Sequence, residues 1–287
     1  MRRFLTIMLT LVLSTSIWGQ IQLTTRKVKF EDFTQKTTKV VLTGNVFYDS
    51  ALKDEISERW RLSPYEFCSL DEFETIRTSE EYYFLLTTKG KFRKEKEPGI
   101  NFLSLVKGGK DADKGIDKML EVVSIPLCQT EEPSGREFVF LPALIDIIQY
   151  HTELSMRHDS NAYLGLAKSA SYMSGKLPEE TVLMITPNDL GDEPRKFLHD
   201  KHQSRLVITE EENLDQAMEN FESGKLISYV VAPKDAVRGS WCYKMVINPE
   251  DRTLFWYKKS RITNSFKAGF YEGDIRQVLE LLESKAK

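Results

Sequence analysis

Apolar residues fall into two sets of short runs, one on either side of a helical middle. Lys39-Val40-Val41-Leu42 reads as a short buried strand. Leu52, Ile56 and Trp60 then recur at fourth positions, one face of an amphipathic helix that Asp49 is placed to cap. Tyr65 to Cys68 reads as a strand after Pro64, and Ser69 with Glu72 forms a capping box ahead of Leu70, Phe73 and Ile76. Residues 81–88 and 100–106 are two more strands, the second stopping at Gly108-Gly109.

The pattern returns from Thr181. Val182 to Ile185 is a strand, Asp192 precedes a helix carrying Phe197 and Leu198, and Arg205 to Ile208 is a strand. Thr209 and Glu212 form a second capping box before Leu214, Ala217, Met218 and Phe221. Residues 226–231 form a strand. Trp241 to Ile247 and Thr253 to Lys258 then make an aromatic-rich hairpin around Asn248-Pro249-Glu250-Asp251. Ile275, Val278, Leu279 and Leu282 lie on one face of a last helix.

Both halves thus run strand, helix, strand, capped helix, strand, strand. The first strands are offset by 142 residues, the capping boxes by 140 and the third strands by about 145, with few identities between the copies. Helical crossovers between neighbouring strands imply parallel pairs with right-handed connections, and the hairpin adds antiparallel strands. The expected fold class is α/β, with α+β as a variant: two related mixed β-sheet units joined by a helical segment. The expected divisions are a leader at 1–19, a first unit at 20–130, a helical connector at 137–176 and a second unit at 180–287. Within the connector, residues 143–156 and 163–173 read as a helical hairpin broken at Arg157-His158-Asp159-Ser160.

The start changes the picture of where the chain resides. Arg2 and Arg3 precede an uncharged apolar stretch from Phe4 to Trp18, and Ser16 and Gly19 supply small residues near a cut before Gln20. That pattern predicts a removable signal peptide and an exported protein, in the periplasm first, with the cell surface or the medium as alternatives. The run is interrupted by Thr6, Thr10, Ser14, Thr15 and Ser16, so a retained membrane anchor is the weaker reading. No later segment is apolar enough to cross a bilayer. Without the leader, 38 basic residues face 43 acidic ones, a balance that gives no electrostatic reason to expect nucleic acid as a partner. An apolar fraction of 41% is ample for a packed core.

Three cysteines, Cys68, Cys128 and Cys242, permit one internal bridge at most. A Cys68–Cys128 bridge would close a loop of roughly 60 residues, worth about 4 kcal/mol in the entropic account. Their flanks read as strand interiors, so three small buried side chains are the expected reading and the bridge is the alternative.

No spacing commits the chain to catalysis. His199 and His202 share a helix face at a usable metal-ligand spacing, but Asp200-Lys201 between them lacks the glutamate of a zinc-protease helix, so a solvated helix end is expected. His151 lies among Ile147, Ile148 and Leu154, as a core histidine does. No serine elbow, phosphate loop or dinucleotide fingerprint is present, and Gly108-Gly109 reads as a turn. Neither cofactor nor metal is expected. Two features suit binding. Lys89, Lys91, Arg93, Lys94 and Lys96 crowd one turn, where they serve an anionic partner such as a lipid headgroup or acidic glycan, or keep a hairpin tip solvated and a sheet edge from aggregating. Trp241, Tyr243, Phe255, Trp256 and Tyr257 put large rings on both faces of the second hairpin: one face covers a core, and the other is either a binding surface or lies under the terminal helix.

Trp18-Gly19-Gln20, the run Trp60 to Phe73 with its Ser-Pro-Tyr-Glu-Phe-Cys-Ser core, and Cys242-Tyr243-Lys244-Met245-Val246-Ile247 resemble uncharacterised exported proteins of Bacteroidetes-type bacteria. The order of elements in each half is similar to the small α/β module of the amino-terminal domain of TolB and of curli-secretion pore subunits. That likeness is one of topology and carries no binding residue with it. The expectation is a non-enzymatic envelope protein that binds a protein or surface component. The alternative is a hydrolase or other enzyme with a site assembled between the halves, for which His151, Cys68 and the His199/His202 pair are the first candidate residues.

Overall fold

The computed structural model describes residues 32–92, 95–131, 133–157, 165–191 and 203–286. The leader, Arg93, Lys94, His199, His202 and the helix expected after Asp192 lie outside these residues. The first sheet holds β1 (Thr37–Val41), β2 (Tyr65–Cys68), β3 (Tyr82–Gly90), β4 (Ile100–Lys107) and β5 (Leu120–Gln129), with helices α1 (Val46–Arg59) and α2 (Leu70–Ile76) in its crossovers. Helices α3 (Arg136–Arg157) and α4 (Gly165–Met173) follow. The second sheet holds β6 (Val182–Ile185), β7 (Leu206–Ile208), β8 (Lys225–Val231), β9 (Trp241–Asn248) and β10 (Thr253–Arg261), with α5 (Glu211–Glu219) before β8 and α6 (Glu272–Lys285) closing the chain.

The fold is α/β, and its two mixed five-stranded sheets share one plan. The strand orders are β2-β1-β3-β4-β5 and, read from the other edge, β7-β6-β8-β9-β10. In each, the first three strands in sequence pair in parallel and the last two add on as antiparallel neighbours. Register aligns the copies: Val40 pairs with Phe67 and Leu85, as Leu183 pairs with Leu206 and Leu226. After the leading strand the copies read Leu-Thr-Gly-Asn (42–45) and Ile-Thr-Pro-Asn (185–188). The third strands stand nearer in offset than the sequence pattern implies, because α5 is only two residues longer than α2.

Several local expectations are corrected. Asn45, not Asp49, caps α1, its side chain accepting from the N–H groups of Phe47 and Tyr48. Asp49 is buried and takes hydrogen bonds from Thr43 N and Gly44 N at 2.8 Å each, so it fastens the preceding turn instead. Ser69 caps α2 as expected, but α5 starts after Glu210 with no side-chain cap, and the Thr209 hydroxyl accepts instead from Asn213. α3 begins at Arg136, seven residues before the first residue expected of it, and runs through Pro142. The ring falls in the second turn, where it removes the single bond to the Phe138 carbonyl. β5 is an additional strand; Pro126 is tolerated because β5 is an edge strand with a bulge in its pairing beside that residue.

The largest core cluster runs across both halves. It joins one face of the first sheet (Val40, Leu85, Leu105) and one face of the second (Met184, Ile227, Met245) to Leu52 and Ile56 of α1, Leu144 and Ile148 of α3 and Leu214 of α5. Truncating Leu144, fully buried there, to alanine would cost about 2–5 kcal/mol. The outer face of the first sheet is covered by Phe73 of α2 together with Ile116 and Met119, and that of the second by Ile275, Val278, Leu279 and Leu282 of α6. α1 of the first sheet therefore points inward while α2, its other crossover, points outward; in the second sheet α5, the counterpart of α2, points inward. The sheets are stacked facing the same way, with α3 between α1 and α5.

Candidate functional site

Pairing in the second hairpin sets its two faces. Trp241 lies opposite Arg261, Tyr243 opposite Lys259 and Met245 opposite Tyr257, so these six side chains share the inward face. The other face turns to α6. Phe255 is fully buried there and Trp256 packs with its ring 5.7 Å from that of Phe270. Thus the five aromatic residues divide: Trp241, Tyr243 and Tyr257 line the seam with the first sheet, while Phe255 lies in the core beneath the terminal helix and Trp256 packs, partly buried, against it.

The basic turn arrives at the same seam. Gly99 N donates to Gly90 O at 3.2 Å and Phe92 N to the Glu95 carboxylate at 3.0 Å, which brings the two ends of the turn together. Phe92 then places its ring 6.5 Å from Tyr243, and Phe102 of β4 meets the same ring edge-on at 5.3 Å. Gly99 abuts Pro233 so closely that a Cβ would come within 2.5 Å of it. Of the basic residues expected to bind, Lys91 flanks Phe92 in the described turn, and Arg93 and Lys94 lie outside the described residues. Two features far apart in sequence therefore meet, with the Tyr243 ring itself buried in the core and Phe92 packed against it.

Charge at the seam is arranged around Lys259. Its ammonium stands 4.3 Å from the centre of the Trp241 ring, 5.4 Å from Tyr243 and 5.8 Å from Phe92, while Arg261 stacks on Trp241 at 4.7 Å. Partial burial pushes the Lys259 pKa down, against the pull of Glu121. Burial pushes the Glu121 carboxyl up to about 7; Ser124 and Lys259 oppose that only in part. One Glu121 oxygen is buried with no hydrogen-bond partner among the described residues, as is one oxygen of Glu95. Burial also raises the phenols of Tyr243 and Tyr257, helped by Glu121. The seam thus combines flat rings, two cations and a carboxyl that changes charge near neutrality.

Phe92, Lys259, Arg261 and Glu121 were missed by sequence reasoning. Lys259 and Arg261 alternate with Tyr257 along β10 and follow from the hairpin register. Glu121 had no such signal, because it sits on the strand that Pro126 conceals.

His151 and the three cysteines have structural roles. His151 shares a 2.6 Å hydrogen bond with the Ser169 hydroxyl and another with the Val122 backbone, and burial lowers its pKa to about 4. All three cysteines are free and buried. Burial raises the thiols of Cys68 and Cys128 to about 11 and moves that of Cys242 upward too. Gly108 begins a turn, as expected, and a Cβ there would meet Ser79 O at 2.1 Å.

A second buried charge cluster joins the halves. Arg136 Nε donates to Asp215 at 3.1 Å, and the guanidinium lies 3.8 Å from Asp189 and 3.6 Å from Glu211. It covers Phe140 and Tyr229, whose rings stack 4.2 Å apart. Burial drives the Asp189 carboxyl up, with Arg136 and Ser228 pulling it back. The Tyr229 hydroxyl donates to the Leu127 carbonyl, tying β8 to β5. This cluster fills the gap where the chain leaves β6 in one direction and returns to β8 in the other, the position where open α/β sheets take ligands.

Among the described residues, no helix is long and apolar enough to cross a membrane and no group of three or more His, Cys, Asp or Glu side chains is placed to hold a metal ion. Comparison of the chain with protein families, with curated proteins and with solved structures finds no match.

Proposed function

We propose that this is an exported, non-enzymatic envelope protein, placed in the periplasm, that binds a protein or cell-surface partner through the seam. The observation that carries the reading is the meeting of the basic turn and the aromatic hairpin at Phe92 and Tyr243. Rings backed by a rigid sheet and flanked by cations suit partner recognition, where aromatic and arginine side chains contribute most. The burial of His151, Cys68, Cys128 and Cys242 supports a binding role over nucleophilic or histidine chemistry. The resemblance to uncharacterised exported Bacteroidetes-type proteins agrees with the compartment.

The test is affinity capture from native envelopes with residues 20–287 as bait, against the same bait carrying Trp241→Ala and Lys259→Ala, after circular dichroism shows that both fold alike. A partner held by the wild type and lost from the variant supports the reading. A partner held equally by both removes the seam from it.

One observation favours the second reading, an enzyme with a site between the halves. Glu121 sits at that junction with its carboxyl near 7, the range in which a general acid or base works best. A hydrolase screen in which Glu121→Gln abolishes an activity of the wild type would put this reading first.

A further inference from the structure

The end of the molecule that carries the basic turn also carries its most exposed apolar side chains. Phe47 is 82% exposed and Val46 78%, against 55% for Tyr172, the next most exposed large apolar residue among those described. Both stand on the first turn of α1, which is held rigidly. Asn45 accepts from Phe47 N and Tyr48 N, and Asp49 anchors Thr43 and Gly44 behind them. The turn therefore sends Tyr48 inward, where its hydroxyl meets that of Thr87 at 3.1 Å, and leaves Val46 and Phe47 outside.

The same contact brings the end of β3 to this end of the molecule. Thr87 is two residues from Lys89, whose side chain is exposed at the end of β3. The turn that follows holds Lys91 and Lys96, with Arg93 and Lys94 between them in sequence. Thr130 N bonds Gly99 O at 3.1 Å, linking this turn to the segment that leads into α3. Near the start of α3 stands Phe138, 40% exposed, its ring 6.5 Å from Tyr48. α1 and α3 both start at this end, so their positive dipole ends face the same way as the cations.

We propose that this end docks on an anionic lipid surface, with Val46 and Phe47 entering the boundary between headgroups and acyl chains and Lys89, Lys91 and Lys96 meeting the lipid phosphates. This rests on the reading of the chain as a binding protein and names the surface it binds. Charge complementarity selects the occupant: exposed apolar side chains on a capped helical turn, at the end of the molecule that also carries Lys89, Lys91 and Lys96, match a negatively charged bilayer interface.

The test is cosedimentation of residues 20–287, which contain every described element, with vesicles of phosphatidylcholine alone or mixed with phosphatidylglycerol. Binding is expected to the mixed vesicles only, to weaken as salt rises, and to fall at least about tenfold in Val46→Ser/Phe47→Ser. The Lys89→Glu/Lys91→Glu variant is expected to lose the preference for phosphatidylglycerol. Because Val46 and Phe47 contact solvent, their replacement leaves the circular dichroism unchanged. Absence of binding to mixed vesicles, equal binding to both kinds, or full binding by Val46→Ser/Phe47→Ser overturns the proposal. Capture of a protein partner that depends on Trp241 without vesicle binding also overturns it, while leaving the seam as a binding surface. Vesicle binding without any captured protein sustains the lipid docking and removes the protein partner.

Discussion

Phe92 and Tyr243 come from opposite halves of the chain, and their rings lie 6.5 Å apart at the junction of the two sheets. Phe92 is the side chain that draws the basic turn against the hairpin. Phe92→Ala should release that turn, at a cost of about 1–2 kcal/mol in denaturant unfolding. Amide exchange should accelerate across residues 90–99 and leave α6 unchanged. Equal protection of the turn in the variant would show that Gly90, Gly99 and Pro233 suffice to hold it.

Glu121 should make the protein less stable on the alkaline side. Its carboxyl is raised to about 7 from an ordinary 4.5, so the folded state holds the proton more tightly than the unfolded one. The stabilisation is complete below about 4.5 and is lost as pH rises through 7. Glu121→Gln should flatten that slope and be the more stable form at pH 8 by about 2 kcal/mol. Thermal unfolding of both proteins across this range is the measurement.

His151 acts on the acid side with the opposite sign. Its pKa is lowered from 6.5 to about 4, so its contribution is present above 6.5 and is lost as pH falls toward 4. His151→Gln should remove that acid-side loss in the same scans, and a wild-type stability that stays flat between 6.5 and 4 would contradict the buried neutral ring.

Arg136 should be costly to remove and less costly to replace together with its partner. Arg136→Ala leaves Asp189 buried without its cation, with an expected loss of about 3–5 kcal/mol. Arg136→Met combined with Asp189→Asn should recover much of that loss. A double-mutant cycle by chemical denaturation measures the coupling.

The cysteines should behave as three free thiols in the folded protein. A thiol reagent should find almost none in the native state and three in denaturant. A count of one in denaturant would establish the single bridge that three cysteines permit.

Most strands were legible because their apolar runs are short, punctuated and β-branched, as in Val182 to Ile185 and Leu226 to Val231. β5 was hidden by Pro126, and the start of α3 by Pro142, because proline ordinarily ends the elements in which these two residues sit. The helix caps at Asp49 and Thr209 matched the residue preference while the structure gave their hydrogen bonds to other partners. At the seam, each component was visible by itself: rings at Trp241, Tyr243 and Tyr257, and charge at Lys91. Their meeting was not, since nothing local in a turn of the first half records which strand of the second half lies against it. Phe92 and Glu121 belong to that non-local part.

The same-way stacking of the two sheets has a consequence for assembly. A pair of units related by a two-fold axis buries like against like and is complete. Here the α1 side of one unit receives the α5 side of the next, an arrangement with no inherent stop. On the second sheet, the side that a further unit would fill is occupied by α6. Deleting residues 272–287 would expose the row Leu183, Ile185, Leu226 and Val246 and leave it able to accept the outer α2 side of another molecule. The terminal helix is thus a stopper as well as a cover: without it, the second sheet would offer an apolar face of the kind on which the two sheets already stack.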